Sequence, residues 1–263
     1  ERVEVLRGPQ GTLFGRNALS GLINVITPVP GEEAAAYAEA TFGNYDLVRL
    51  RAGVSGELVA GLLYGSLSGA FTDRVGYVRN RFTGRAVNDE GNWGVRAKLR
   101  FTPSDVVEII ASLDYREVDQ STRTYDIAGF FITPGPLFQP HGPAEVDTDP
   151  FDRSISQDFE GRETLEELGG SLTVNVDLGF ASLKSISAFR THDYFQSYDA
   201  DNTEIPITIR ETPEDFDSWS QELRLTSSQG GRFDWIVGVK YYHQKTTSEF
   251  ASILNNETLV GDR

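Results

Sequence analysis

Between residues 35 and 247 the chain alternates apolar and polar side chains with a period of two, and the links between these stretches are by turns short and long. From 93 to 101 the apolar set is Trp93, Val95, Ala97, Leu99 and Phe101, with Arg96, Lys98 and Arg100 on the other parity. From 46 to 54, Val48, Leu50, Ala52 and Val54 alternate with Arg49 and Arg51. Val107, Ile109, Ala111, Leu113 and Tyr115 alternate with Glu108, Ser112, Asp114 and Arg116, and windows at 172–177, 219–226 and 233–241 repeat the pattern. Successive side chains on a strand point to opposite faces, so each window is a two-faced β-strand; helical spacing fits none of them.

Nine strands are predicted, at about 35–42, 45–55, 61–72, 92–102, 105–118, 165–178, 180–198, 217–228 and 232–247. Short links fall at 56–60, 103–104, 179 and 229–231. Long ones fall at 73–91, 119–164, 199–216 and from 248 onward, with a tight link at 43–44 as the one exception. An all-β, antiparallel up-and-down meander with its long loops at one end gives this alternation, as transmembrane β-barrels do. Trp93, Tyr115, Tyr194, Tyr198, Trp219, Tyr241 and Tyr242 sit toward the long-loop ends. Phe101, Phe180, Phe233 and Trp235 sit toward the short turns, so two aromatic girdles are expected. In a barrel the apolar face meets lipid, and Arg49, Arg51, Arg96, Lys98 and Arg100 then line a polar lumen. A soluble sandwich would turn the same apolar face inward. Nine strands leave an open edge, so the wall is expected to be partial. The parity is least regular in 180–198, where Lys184 shares a side with Ile186 and Ala188. No stretch approaches 18 consecutive apolar residues, and a barrel wall needs none.

Before the meander lies ERVEVLRGPQGTLFGRNALSGLINVIT, residues 1–27, which reads as strand, Gly/Pro-punctuated loop and strand. Gly8-Pro9 sets a turn, while Gly11, Gly15 and Gly21 permit close backbone approach. A phosphate cradle does not fit: Gly15 is followed by Arg16 and Asn17 rather than Lys and Ser/Thr, and Pro9 lacks the amide such a loop would use. This run closely resembles the C-terminal end of the plug domain of TonB-dependent outer-membrane receptors, where it leads into the barrel. The resemblance implies that residues 1–30 end an α+β plug domain. Residues 31–263 then begin a barrel of 22 strands, of which about nine are present. It also implies roles in plug structure and plug–barrel coupling for Arg7, Gly8, Pro9, Gly11, Gly15, Arg16, Gly21 and Asn24, with Arg7 and Arg16 facing carboxylates of the enclosing wall. Residues 28–31, Pro-Val-Pro-Gly, form the break between the two parts. The sequence opens in mid-strand and contains no Met, which suits a piece of a longer product.

Net charge is −15 and is localised. Residues 117–167 hold twelve acidic and three basic side chains, and 193–217 hold eight acidic and one basic. That balance argues against nucleic acid, whose phosphates need the opposite sign. Cys is absent, so disulfides and thiolate metal sites are excluded within these residues. His141, His192 and His243 lie about fifty residues apart, with no helical i, i+4 pair, and no Gly-x-Ser-x-Gly elbow occurs. No enzyme, resident metal or cofactor is expected. The acidic run at 145–152 has oxygen ligands at close spacing that a hard cation such as calcium could use, but it lacks the Gly and terminal Glu of an EF-hand loop, and a solvated loop is favoured. The apolar island at 127–132 reads as a loop anchor, with ligand contact as the alternative.

The resemblance implies a receptor in the outer membrane of a Gram-negative bacterium that takes up a scarce ligand, foremost a ferric siderophore. The implied partners are the inner-membrane TonB complex, acting through a segment outside this sequence, and outer-membrane lipid with lipopolysaccharide. A small outer-membrane barrel enzyme and a soluble β-rich extracellular binding module are the alternatives.

Overall fold

The structure, a computed structural model, describes residues 2–9, 11, 19–125, 151–228 and 233–254, and the backbone of 257–261. Two strands come first, β1 (Arg2–Arg7) and β2 (Gly21–Ile26), paired antiparallel as a separate two-stranded sheet. The wall follows with β3 (Ala35–Gly43), β4 (Leu47–Val59), β5 (Leu63–Arg74), β8 (Glu90–Ser104), β9 (Val107–Gln120), β11 (Arg162–Asp177), β12 (Ala181–Asp199), β13 (Thr208–Ser227), β14 (Ile236–Ser248), β15 (Phe250–Leu254) and β16 (Glu257–Gly261). Three short strands, β6 (Val78–Asn80), β7 (Ala86–Val87) and β10 (Ser154–Ile155), form a small sheet inside the long connections.

The wall is one antiparallel sheet in which, from β3 to β14, each strand pairs with the wall strands before and after it, so the meander holds and all nine expected strands are present. Short turns gather at one end, where φ is +65° at Gly61 and +79° at Gly179, a region that glycine enters without strain. The first short turn lies at 60–62 rather than 56–60, because β4 continues through Gly56 and shifts register between Glu57 and Val59. The second lies at 105–106: Pro103 stays inside β8, at the irregularity between Phe101 and Ser104, where its missing N–H leaves no ladder bond unmade.

At the opposite end the strands outrun the sequence prediction. β13 begins at Thr208, nine residues before the expected 217. The segment after 248 is not a long loop. Glu249 N–H donates to the Pro213 carbonyl at 3.1 Å, and β15 then pairs with the start of β13, so β14 and β15 run along one edge of it; β16 turns back on β15. Proline at 213 and the dense acids of 211–217 hid this extension, since neither belongs to ordinary strand composition. Strands of 19 residues (β12) and 20 residues (β13) exceed the roughly 9–11 that cross a bilayer, so they project beyond it on the long-loop side.

Register fixes the faces, because directly opposed residues share one. Leu50 opposes Phe71, Phe71 opposes Trp93, Ala97 opposes Leu113, Leu113 opposes Gly170, Gly170 opposes Phe189 and Phe189 opposes Trp219. This apolar face is solvent-exposed over its length: Leu50, Leu67, Phe71, Val95, Leu99, Leu113, Leu172, Leu223 and Val239 are all open. A water-soluble sheet would bury such a face. In 180–198 the register settles the irregular parity, with Lys184, Ile186, Ala188 and Arg190 on the polar side. Ser185 and Ser187 therefore fall on the apolar side, where both are hydrogen-bonded to Gln221. Of the expected girdle, Trp93 stacks obliquely on Tyr115 (5.2 Å between centroids) and Trp219 on Tyr241 (5.3 Å). Phe101, Phe180, Phe233 and Trp235 are exposed toward the short turns. Tyr194 and Tyr242 oppose Glu214 and Ser220, so they stand on the polar face rather than in the girdle.

Candidate functional site: the polar face and the β1–β2 hairpin

Polar side chains of the inner face pair along and across strands. Arg96 directly opposes Asp114 and lies 3.9 Å from it. Asp114 also meets Arg190 at 3.3 Å, and Arg190 pairs in turn with Glu167. Arg190 reaches β9 by crossing β11 at Gly169: a Cβ there would sit 2.6 Å from the guanidinium, so glycine leaves the passage. Arg100 donates to Glu108 at 2.7 Å, Glu108 accepts from Asn175 at 2.8 Å, and the Arg100 guanidinium lies over the Tyr64 ring. Arg49 stands 4.0 Å from Glu90, which also meets Arg74 at 3.4 Å. Glu222 pairs with Arg224 and with Lys240.

Two concavities follow this face. One of about 900 Å³ lies toward the short turns and includes Tyr64, Arg100, Glu108, Asn175, Lys184 and Arg224. Another of about 420 Å³ brings Arg51, Arg96, Arg116 and Arg190 together with Asp114 and Glu167. Arg49, Arg51, Arg96, Lys98 and Arg100 thus share one face, with Arg51 and Arg96 meeting in the smaller concavity. Their acidic partners were legible only as the polar parity of the neighbouring strands; pairing a given acid with a given arginine needed the register.

The β1–β2 hairpin carries the glycine-rich motif. Val3 pairs with Val25, Val5 with Ile23, and Arg7, at the end of β1, with Gly21. Gly21 has φ +132°, and a Cβ there would lie 2.3 Å from the Leu6 carbonyl oxygen, so only glycine closes this pair. Gly8, at φ +82°, donates its N–H to the Ser20 carbonyl at 3.3 Å. Asn24 donates to Glu4 at 3.0 Å, and Arg2 donates to the other Glu4 oxygen at 2.6 Å. The Arg2 bond first, then Asn24, holds the Glu4 carboxyl below its ordinary range. Pro9 is exposed just beyond β1. Gly15 and Arg16 lie outside the described residues, so the structure does not bring Arg16 to the wall or away from it.

Lys98 joins hairpin to wall. Its ammonium donates to the Thr27 carbonyl at 3.2 Å, to the Thr27 hydroxyl and to the Pro28 carbonyl at 2.9 Å.

Toward the long loops, β6, β7 and β10 enclose Val78, Val87 and Ile155. Asn80 is fully buried, donates to the Gln157 carbonyl at 2.8 Å and accepts from Phe82 N–H at 3.1 Å. Asp199, at the end of β12, accepts backbone N–H bonds from Asp201 and Asn202. Burial, then the charges of Asp201 and Asp158, push its carboxyl up to about 8. Among the described residues no group of three or more His, Cys, Asp or Glu is arranged to hold a metal. His192 contacts Glu214 at 3.1 Å and stacks on Phe216. His141, residues 127–132 and most of 145–152 lie outside the described residues.

No family model matches the chain. It is 28% identical over 267 residues to the pesticin receptor of Yersinia enterocolitica and, equally, to that of Yersinia pestis, with 98% of this chain and 36% of each relative aligned. The chain therefore spans little more than a third of the curated relatives it matches. The fold matches the ferric yersiniabactin uptake receptor FyuA from Yersinia pestis with a TM-score of 0.79 at 22% identity, covering 97% of this chain and 38% of that one. It also matches the siderophore receptor PiuA from Acinetobacter baumannii, with a TM-score of 0.74 at 15% identity, covering 98% and 37%. These relatives are receptors rather than enzymes. Glycine-rich hairpin, outward-apolar meander, charged inner face and relatives converge: over nearly its whole length the chain is similar to TonB-dependent outer-membrane receptors of Gram-negative bacteria and shares their fold.

Proposed function

We propose that this chain contributes the end of the plug (1–30) and the first barrel strands (31–263) to a receptor for active uptake of a ferric siderophore, driven by the TonB complex. The observation that carries this reading is the pairing of an outward apolar sheet with an inner face of linked charges, to which the glycine-rich hairpin is tied through Lys98. The similarity to the ferric yersiniabactin uptake receptor FyuA makes ferric yersiniabactin the first chelate to try. In this reading Arg49, Arg51, Arg96, Lys98 and Arg100 line the lumen. Arg7, Gly8, Pro9, Gly11, Gly15, Arg16, Gly21 and Asn24 shape the plug end and its contact with the wall. Outer-membrane lipid covers the apolar face, with lipopolysaccharide at the long-loop rim.

The test is iron uptake by cells carrying the full-length receptor as their sole route for the chelate. TonB-dependent accumulation of radiolabelled iron from ferric yersiniabactin or another siderophore supports the reading. Binding or uptake that is indifferent to TonB contradicts it.

A further inference from the structure

Among the described residues, the three hydrogen bonds between residues 19–31 and the wall strands all end on one atom, Lys98 Nζ. An ammonium has three protons, and here each has an acceptor from Thr27 or Pro28. Among the described residues, no wall strand packs against β1 or β2 themselves. The anchored residues directly follow β2, which ends at Ile26, and precede a stretch where Pro28 and Pro30 restrict the backbone and Pro30 is buried. Lys98 itself sits midway along β8, between the aromatic levels of Trp93 and Phe101, on a strand bonded on both sides. The segment that follows β2 is thus hydrogen-bonded to the middle of a strand that is itself paired on both sides.

We propose that Lys98 is a clasp, a positioning residue that keeps the plug's last residues on the barrel wall while the rest of the plug rearranges; this rests on the receptor reading above. Force applied to β1 passes through its six backbone pairs with β2 and reaches Thr27. Without the clasp, the load would continue through 28–34 to the end of β3. With it, β8 takes the load in the middle of the sheet. The hinge of the moving part then lies at residue 27 and not at the linker glycine, Gly31.

The test uses the full-length receptor in a cysteine-free background, reconstituted in lipid vesicles, with a spin label at Val29→Cys and a control label at Thr173→Cys on β11. The label at 29 is expected to be immobilised. Lys98→Met, which keeps the length and removes the donors, should release it, and Lys98→Arg should keep it held. The control label should not change. A label at 29 equally immobile in Lys98→Met overturns the clasp. Equal release in Lys98→Arg overturns it too, as does release of both labels together, which marks general loosening of the wall. Iron uptake by the unsubstituted receptor is measured alongside. Failure there removes the transport reading while the label still reports the clasp, whereas uptake with an unmoved label removes the clasp alone.

Discussion

The wall and the small β6–β7–β10 module are built from one chain yet obey opposite rules. In the wall, Leu67, Val95, Leu99 and Leu113 point away from the protein, and charged residues pair on the inside. In the module, Val78, Val87 and Ile155 are enclosed, and the fully buried Asn80 is bonded to backbone. The difference is one of solvent. Where lipid surrounds a strand, apolar side chains gain nothing by turning inward, and the closed backbone ladder supplies the constraint. Where water surrounds it, burial drives folding again. Among the described residues three apolar side chains make that core, so buried amide hydrogen bonds carry much of the module's specificity.

Substitutions that exchange the two rules should break each region in its own way. The largest effect is expected at Ala97→Arg, which places a charge on the lipid face near mid-strand and should cost about 2–4 kcal/mol in refolding into bilayers. Thr173→Arg, on the inner face of β11, should cost much less. Equal losses would mean that the faces are misassigned. Next comes Asn80→Ala, which strands the Gln157 carbonyl and the Phe82 amide and should cost roughly 1–3 kcal/mol. The loss should show as faster proteolysis of the module with the wall still folded, which separates the two regions.

The connections beside the module, where Asp199 at the end of β12 meets Asp158, should also respond to pH, and the module leans on them through the Asn80–Gln157 bond. Asp199 is pushed up to about 8, whereas an unfolded aspartate titrates near 3.9. Between those values the folded state keeps a proton that the unfolded chain releases. The module is therefore most stable in acid, weakens as pH rises from about 4 toward about 8, and changes little above that. Asp158, raised by burial and by Asp201, acts with the same sign. Asp199→Asn should flatten the profile and protect the module at neutral pH in protease-resistance assays; a slope that survives the substitution would place the titration elsewhere. The smallest effect is expected at the exposed pair of Arg162 and Asp119, bonded at 2.9 and 2.7 Å. Arg162→Met should change stability little, and less still in high salt.

How much was legible in sequence follows the same division. Alternation in windows such as 93–101 revealed the wall, its order and its faces, because lipid on one side and polar groups on the other impose a strict period of two. It did not reveal the extension of β13 back to Thr208 or the run of β14 into β15, where both faces meet water and the alternation lapses. The module was invisible as structure: β6, β7 and β10 are two or three residues long, and β10 joins β6 across more than seventy residues. At the site, Lys98 was legible as a basic residue on the polar face. Its bond to Thr27 and Pro28 was not, because nothing in either segment signals the other.

The most direct test of the account is a cysteine scan of residues 93–101 in the full-length receptor, each position labelled with a fluorophore and challenged with a quencher confined to lipid chains. Quenching should alternate, strong at 93, 95, 97, 99 and 101 and weak at 94, 96, 98 and 100. Uniform quenching, or none at all, would contradict a membrane-spanning wall with these faces.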